Sequence, residues 1–134
     1  MIDFIVRFVA VGTVMGVLDG LWLTVVANKF YKSQIGKLLL DKPNMTAALL
    51  FYAIYVVGVV LFVLTPALER GSVKYAILYG AAFGSVAYAT YDLTNLATLK
   101  GWTTKLVVVD IVWGAVLTAT VAAVAYWAVS SWRS

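Results

Sequence analysis

Three aspartates stand inside otherwise apolar runs of the chain: Asp19, Asp92 and Asp110. No lysine, arginine or histidine lies near the middle of those runs to neutralise them. An aspartate at the centre of a membrane helix costs about 2.5–3.5 kcal/mol, so three facing lipid would offset much of the gain from inserting a whole span. They must face inward, carry protons, or meet cations or lysines from the loops. Aromatic and amide residues accompany them: Trp22, Tyr52, Tyr55, Tyr88, Tyr91, Asn95 and Trp113. Carboxyls compensate charge, and indole and phenol faces attract cations. Residues of these types point to a pocket that binds or transports a proton, a cation or a cationic amphiphile. Carboxyl pairs also do general acid–base work, which makes a membrane-embedded enzyme, or enzyme subunit, of fatty-acyl lipid modification an alternative. A structural or assembly partner is the third reading, with the acids as interhelical hydrogen bonds. Such bonds average only about 0.6 kcal/mol in membranes.

Several chemistries are excluded. The chain has no histidine and no cysteine, so thiol catalysis, histidine bases, haem ligation by histidine and most zinc sites fall away. No nucleophile or redox centre is evident, and the three aspartates with Asn95 lack the spacing of a divalent-ion motif. No catalytic residue, metal or cofactor is therefore assigned. Of 134 residues, 63% are hydrophobic and 12% charged, with a mean hydropathy of +0.96. A soluble domain carries about 25% charged residues; this chain could not cover a water-facing surface. That removes a separate soluble catalytic domain, a nucleotide-binding fold and a disulfide-stapled module. The net charge of +4 suits anionic headgroups better than nucleic acid. The expected partners are the lipid bilayer, an ion or small-molecule ligand, and a second copy of the chain in a homo-oligomer.

Four apolar stretches must position these residues: about 4–27, 45–64, 75–99 and 106–128. Each is long enough to cross a hydrocarbon core of about 30 Å as a helix. Their near-continuous apolar character argues against barrel strands. The expectation is an all-α, polytopic four-transmembrane-helix bundle forming a single domain over residues 1–134. The first stretch carries Asp3 and Asp19 and no small-x-small cleavage site, so it reads as a retained helix rather than a signal peptide. Between the first two stretches, Tyr31, Ile35, Leu38 and Leu39 fall at helical spacing, with Lys29, Lys32 and Lys37 mostly opposite. This suits a short helix in the headgroup layer or an irregular basic loop. Pro43 ends that segment and Asn44 is placed to cap the second helix. Pro66 is expected to close the second span, before a polar turn at Glu69-Arg70-Gly71-Ser72. Lys100-Gly101-Trp102 forms another turn, with Trp102 as an interfacial anchor.

Helices one and three end where two and four begin. That loop side carries Lys29, Lys32, Lys37, Lys42, Lys100 and Lys105, against Arg7, Arg70, Lys74 and Arg133 opposite. The excess predicts a cytoplasmic loop side, with the 28–44 and 100–105 loops inside and both termini outside. Each aspartate then lies roughly 6–12 Å in from the same membrane face. Asp19 and Trp22 are three apart, as are Asp110 and Trp113, so each pair shares a helix face. Gly84, Tyr88, Tyr91, Asp92 and Asn95 step along one stripe. Gly12, Gly16 and Gly20, and likewise Gly80 and Gly84, repeat at four-residue spacing. Such ridges let a neighbouring helix backbone approach closely.

Four segments carry a family resemblance. They are Asp19-Gly20-Leu21-Trp22-Leu23, Phe30-Tyr31, Tyr91-Asp92-Leu93-Thr94-Asn95-Leu96-Ala97-Thr98-Leu99-Lys100-Gly101-Trp102, and Asp110-Ile111-Val112-Trp113-Gly114. Together they resemble a family of small bacterial predicted membrane proteins of unknown function, over nearly the whole chain. The resemblance implies a four-helix protein of the bacterial inner membrane and brings no activity with it. Its signature residues coincide with the acidic layer.

Overall fold

The computed structural model describes residues 2–36 and 44–133. Among them every element is helical. Helix α1 (Ile2–Leu21) runs into a π-helical segment, Trp22–Ala27, and on into α2 (Asn28–Ile35). Helix α3 (Met45–Val59) passes through a second π-helical segment, Val60–Leu64, into α4 (Thr65–Arg70). Helices α5 (Val73–Thr98) and α6 (Thr104–Arg133) complete the chain. Lys37, Leu38, Leu39, Lys42 and Pro43, which bear on the connection before α3, lie outside the described residues.

Among the described residues, three helical segments are long and apolar enough to cross a membrane: Ile2–Val25, Met45–Arg70 and Thr104–Trp132. The expected count of four is thus met for three. Helix α5, at 26 residues, has the length, but Tyr75, Tyr79, Tyr88, Tyr91, Asp92, Thr94 and Asn95 dilute its apolar content. Large hydrophobic side chains stand exposed around the molecule, Leu49, Leu50, Ile54, Phe62, Val86 and Trp127 among them. Water-soluble monomers rarely expose apolar surface on that scale; a bilayer covers it.

Pro66 does not end its helix, contrary to the sequence expectation. Proline lacks an N–H and crowds the carbonyl one turn back. The π-helical turn just before it, where the Thr65 N–H reaches the Val60 carbonyl, widens the helix and absorbs that misfit. The helix stops at Arg70 instead. Gly71 adopts the left-handed conformation (φ 62°), which costs glycine nothing, and the Ser72 side chain accepts from the Tyr75 N–H. At the other end, the Asn44 side chain accepts from the Ala47 N–H at 3.1 Å. Asn44→Ala removes this cap and lowers unfolding stability in detergent by about 1 kcal/mol; an unchanged midpoint would show that the cap does not contribute.

Helix α5 lies along α6, α1 packs on α6 and touches α3, and α4 with its preceding π segment rests on α5. The contact between α5 and α6 is close because both are small there. A Cβ on Gly80 would sit 2.9 Å from the Thr118 carbonyl oxygen, and one on Gly84 would fall inside the Gly114 backbone. The ridge on α1 behaves differently. Gly12 and Gly16 face the Val56 and Tyr52 side chains at ordinary contact distance, and Gly20 faces open space. No neighbouring backbone approaches there, since α3 meets α1 through its longer side chains.

The main hydrophobic cluster, with Val11, Met15, Val59, Val60, Val63, Leu64, Leu117 and Val121 fully buried, runs from the middle of the bundle toward the end away from the connections that join α2 to α3 and α5 to α6; Ile35, Leu106 and Val107 are buried at the loop side. The opposite, loop-side half is less tightly filled, and there the acids stand.

Candidate functional site

A cavity of about 350 Å³ occupies the loop-side half. Asp19, Trp22, Tyr55, Tyr88, Tyr91, Asp110 and Trp113, all singled out in the sequence, line it. Tyr31, Ile35, Phe51 and Trp102 also line it. No lysine or arginine is in this wall among the described residues.

The two Asp-x-x-Trp pairs do not close on themselves; they cross. Trp22 and Trp113 stack with ring centroids 4.3 Å apart and planes 8° from parallel. The Trp113 Nε1–H points at the Asp19 carboxyl, 3.4 Å away. The Trp22 Nε1–H points at the Tyr31 hydroxyl, also at 3.4 Å, and that hydroxyl donates to Asp110. Because α1 and α6 run antiparallel, the deeper acid of one helix meets the deeper indole of the other. The outcome is one linked set, Asp19–Trp113 stacked on Trp22–Tyr31–Asp110.

Tyr31 is the residue that regular helical periodicity hides. Twelve residues beyond Asp19, it would point about 120° away on an unbroken α-helix. The π segment between them takes up roughly one extra residue and turns the chain back by about 100°. Tyr31 thereby returns to the face of Asp19, as does Ile35, while Lys29 and Lys32 are exposed. Tyr31 lies outside the candidate spans, and burial, with the bond to Asp110 next, pushes its phenol well above the usual tyrosine value. It remains a donor throughout the physiological range.

Asp92 stands behind the cavity wall rather than in it. It is 0% exposed, and among the described residues neither carboxyl oxygen meets a partner with regular hydrogen-bond geometry. Its neighbours are the Asp110 carboxyl and the Trp102 indole, whose Nε1 is likewise buried without such a partner. Trp102, read from sequence as an interfacial anchor, is instead packed edge-on against Tyr91 (centroids 5.8 Å, 85°). The turn at Gly101 (φ 85°) folds it back over the bundle. Tyr55 is buried and shares a 2.8 Å hydrogen bond with Thr118, tying α3 to α6 at the floor.

Two residues of the sequence set lie elsewhere. Tyr52 turns toward Gly16, its hydroxyl buried without a partner, and Asn95 sits one turn beyond Tyr91 outside the lining. The three acids form no metal-ligating group among the described residues.

A chain whose described elements are all helical and sheathed in apolar side chains, with acids and aromatic rings turned inward, is a polytopic membrane protein. Residues 4–127 match the family described as predicted membrane protein (DUF2177), and the chain belongs to that family. No curated protein and no solved structure matches it.

Proposed function

We propose that this chain is a four-span protein of the bacterial inner membrane that binds a hydrophobic cation in the loop-side cavity, as a transporter or a binding protein. One observation carries the reading: acids and aromatic rings bound the cavity, and its described wall has no basic side chain. Among the described residues, only a proton or the ligand supplies the compensating charge there. Stacked indoles and phenols favour the ligand when it is a cation with apolar substituents.

Short connections support α5 as the fourth crossing. It is joined to α4 through Gly71-Ser72 and to α6 through residues 99–103. Such links make neighbours antiparallel, so α5 traverses the same thickness as the helices on either side. Its polar residues are tolerated because Asp92 is enclosed by protein rather than lipid. On this topology the basic residues place the loop side in the cytoplasm.

Tetraphenylphosphonium is the probe. Titrated into the protein in lipid nanodiscs, it quenches the emission of Trp22, Trp102 and Trp113 saturably. Asp110→Asn and Asp19→Asn each weaken the apparent affinity by about tenfold, equivalent to about 1.4 kcal/mol. Neutral triphenylphosphine oxide leaves the emission unchanged at the same concentrations. Equal quenching by the parent and the doubly substituted chain would overturn the reading.

A further inference from the structure

The cavity is not closed on all sides. Three of its lining residues are about half exposed: Leu23 at 50%, Phe51 at 55% and Tyr91 at 56%. They come from the α1 π segment, α3 and α5. At the far end α4 and α5 are held together by the Gly71 turn, and the core is filled. Toward the loop side no such turn joins α3 to α5 among the described residues, because α3 follows α2 and α5 leads into α6. Residues 45–51 at the start of α3 are all exposed, whereas Val56, Val59 and Val60 farther along are buried. Tyr55 still reaches across to the Phe83 and Tyr88 rings. Farther toward the loop side, Phe51 on α3 and Tyr91 on α5 both stand about half exposed.

The depth of the gap decides what it faces. Phe51 lies six residues into α3 and Tyr91 eight residues before Leu99, which is roughly 9 and 12 Å from the helix ends. The headgroup layer takes up about 5–8 Å on each side of the bilayer. The opening therefore faces acyl chains rather than water. A volume of about 350 Å³ is near the lower end for ligand pockets; it holds a headgroup, and a long chain must stay outside.

We propose that the cavity opens sideways into the bilayer between Phe51 and Tyr91, and that its ligand is a long-chain amphiphile. The cationic head enters to meet Asp19 and Asp110, and the alkyl chain remains in the lipid through the gap. This rests on the cation-binding reading and adds the route and the substrate class.

The chain has no cysteine, so the gap can be bridged selectively. Phe51→Cys with Tyr91→Cys is made in a Trp127→Phe, Trp132→Phe background, which removes two lipid-exposed indoles. The protein is reconstituted in vesicles and treated with a reducible bis-maleimide or with N-ethylmaleimide. The probe is an alkyltrimethylammonium brominated along its chain, read by tryptophan quenching. Measured against the untreated double-cysteine chain, bridging slows quenching by about tenfold or more, reduction restores it, and N-ethylmaleimide slows it less than the bridge does. Restoration by reduction separates a closed gap from a damaged fold. Unchanged quenching after bridging, with Asp110→Asn still weakening the apparent affinity by about tenfold, overturns the lateral gap and leaves the cation site standing. Quenching by tetraphenylphosphonium and none by the long-chain probe overturns the amphiphile. Equal quenching by the brominated ammonium and a brominated alcohol of the same length, unaffected by Asp110→Asn, removes the cation reading itself.

Discussion

Gly84→Leu lowers the stability of the folded protein by about 3 kcal/mol or more, while Gly20→Leu changes it by less than about 0.5 kcal/mol. Both are glycines in four-residue repeats on a long helix, and sequence alone gives no reason to separate them. At Gly84 an added Cβ would fall inside the Gly114 backbone and 2.7 Å from Thr118 Oγ1. Backbone cannot swing aside as a side chain does, so α5 and α6 must part. Because Tyr88 and Asp92 are carried on α5 and Asp110 and Trp113 on α6, the same separation opens the cavity wall. Gly20 has nothing within 4 Å, so its new side chain projects into lipid. Reversible unfolding in detergent, with tetraphenylphosphonium binding measured alongside, decides the matter. Equal stability of the two variants would mean that the close crossing of α5 on α6 is not where the structure puts it.

Tyr31→Phe costs about 1.5–3 kcal/mol, the range for a hydrogen bond to a carboxylate. The Asp110 side chain, 6% exposed, loses its donor, and Trp22 Nε1 loses its acceptor. Packing is unchanged, since phenylalanine keeps the ring. The pH dependence identifies the group. Tyr31 has a phenol raised in the folded state by burial and by Asp110, so its contribution is fully present below the ordinary tyrosine value of about 10. It falls away as pH rises above that value, when the unfolded chain ionises first. Part of the parent's loss of stability above pH 10 is therefore absent in Tyr31→Phe. Identical alkaline profiles for the two proteins would assign the loss to other tyrosines.

The acidic layer could be read early because its cost is local. An aspartate in an apolar run is unfavourable wherever the helix points, so Asp19, Asp92 and Asp110 announce themselves without a fold. The same holds for the Asn44 cap and the Gly71-Ser72 turn, which depend on neighbours a few residues away. Tyr31 and Trp102 could not be placed that way. Tyr31 depends on a change of helical phase at 22–27, which regular spacing does not register. Trp102 depends on a turn whose direction is set by where α6 packs. Pro66 misled for a related reason, since its misfit is absorbed by the π turn before it.

From composition and local pattern the chain is committed to a helical membrane protein with buried acids, because charge in hydrocarbon and unpaired backbone are costly whatever the tertiary arrangement. Which acid meets which indole, which glycines let helices touch, and where the bundle stays open were decided by packing. Those outcomes turn on helix phase and on shape across distant segments, where alternatives differ by contacts that one-dimensional spacing does not contain.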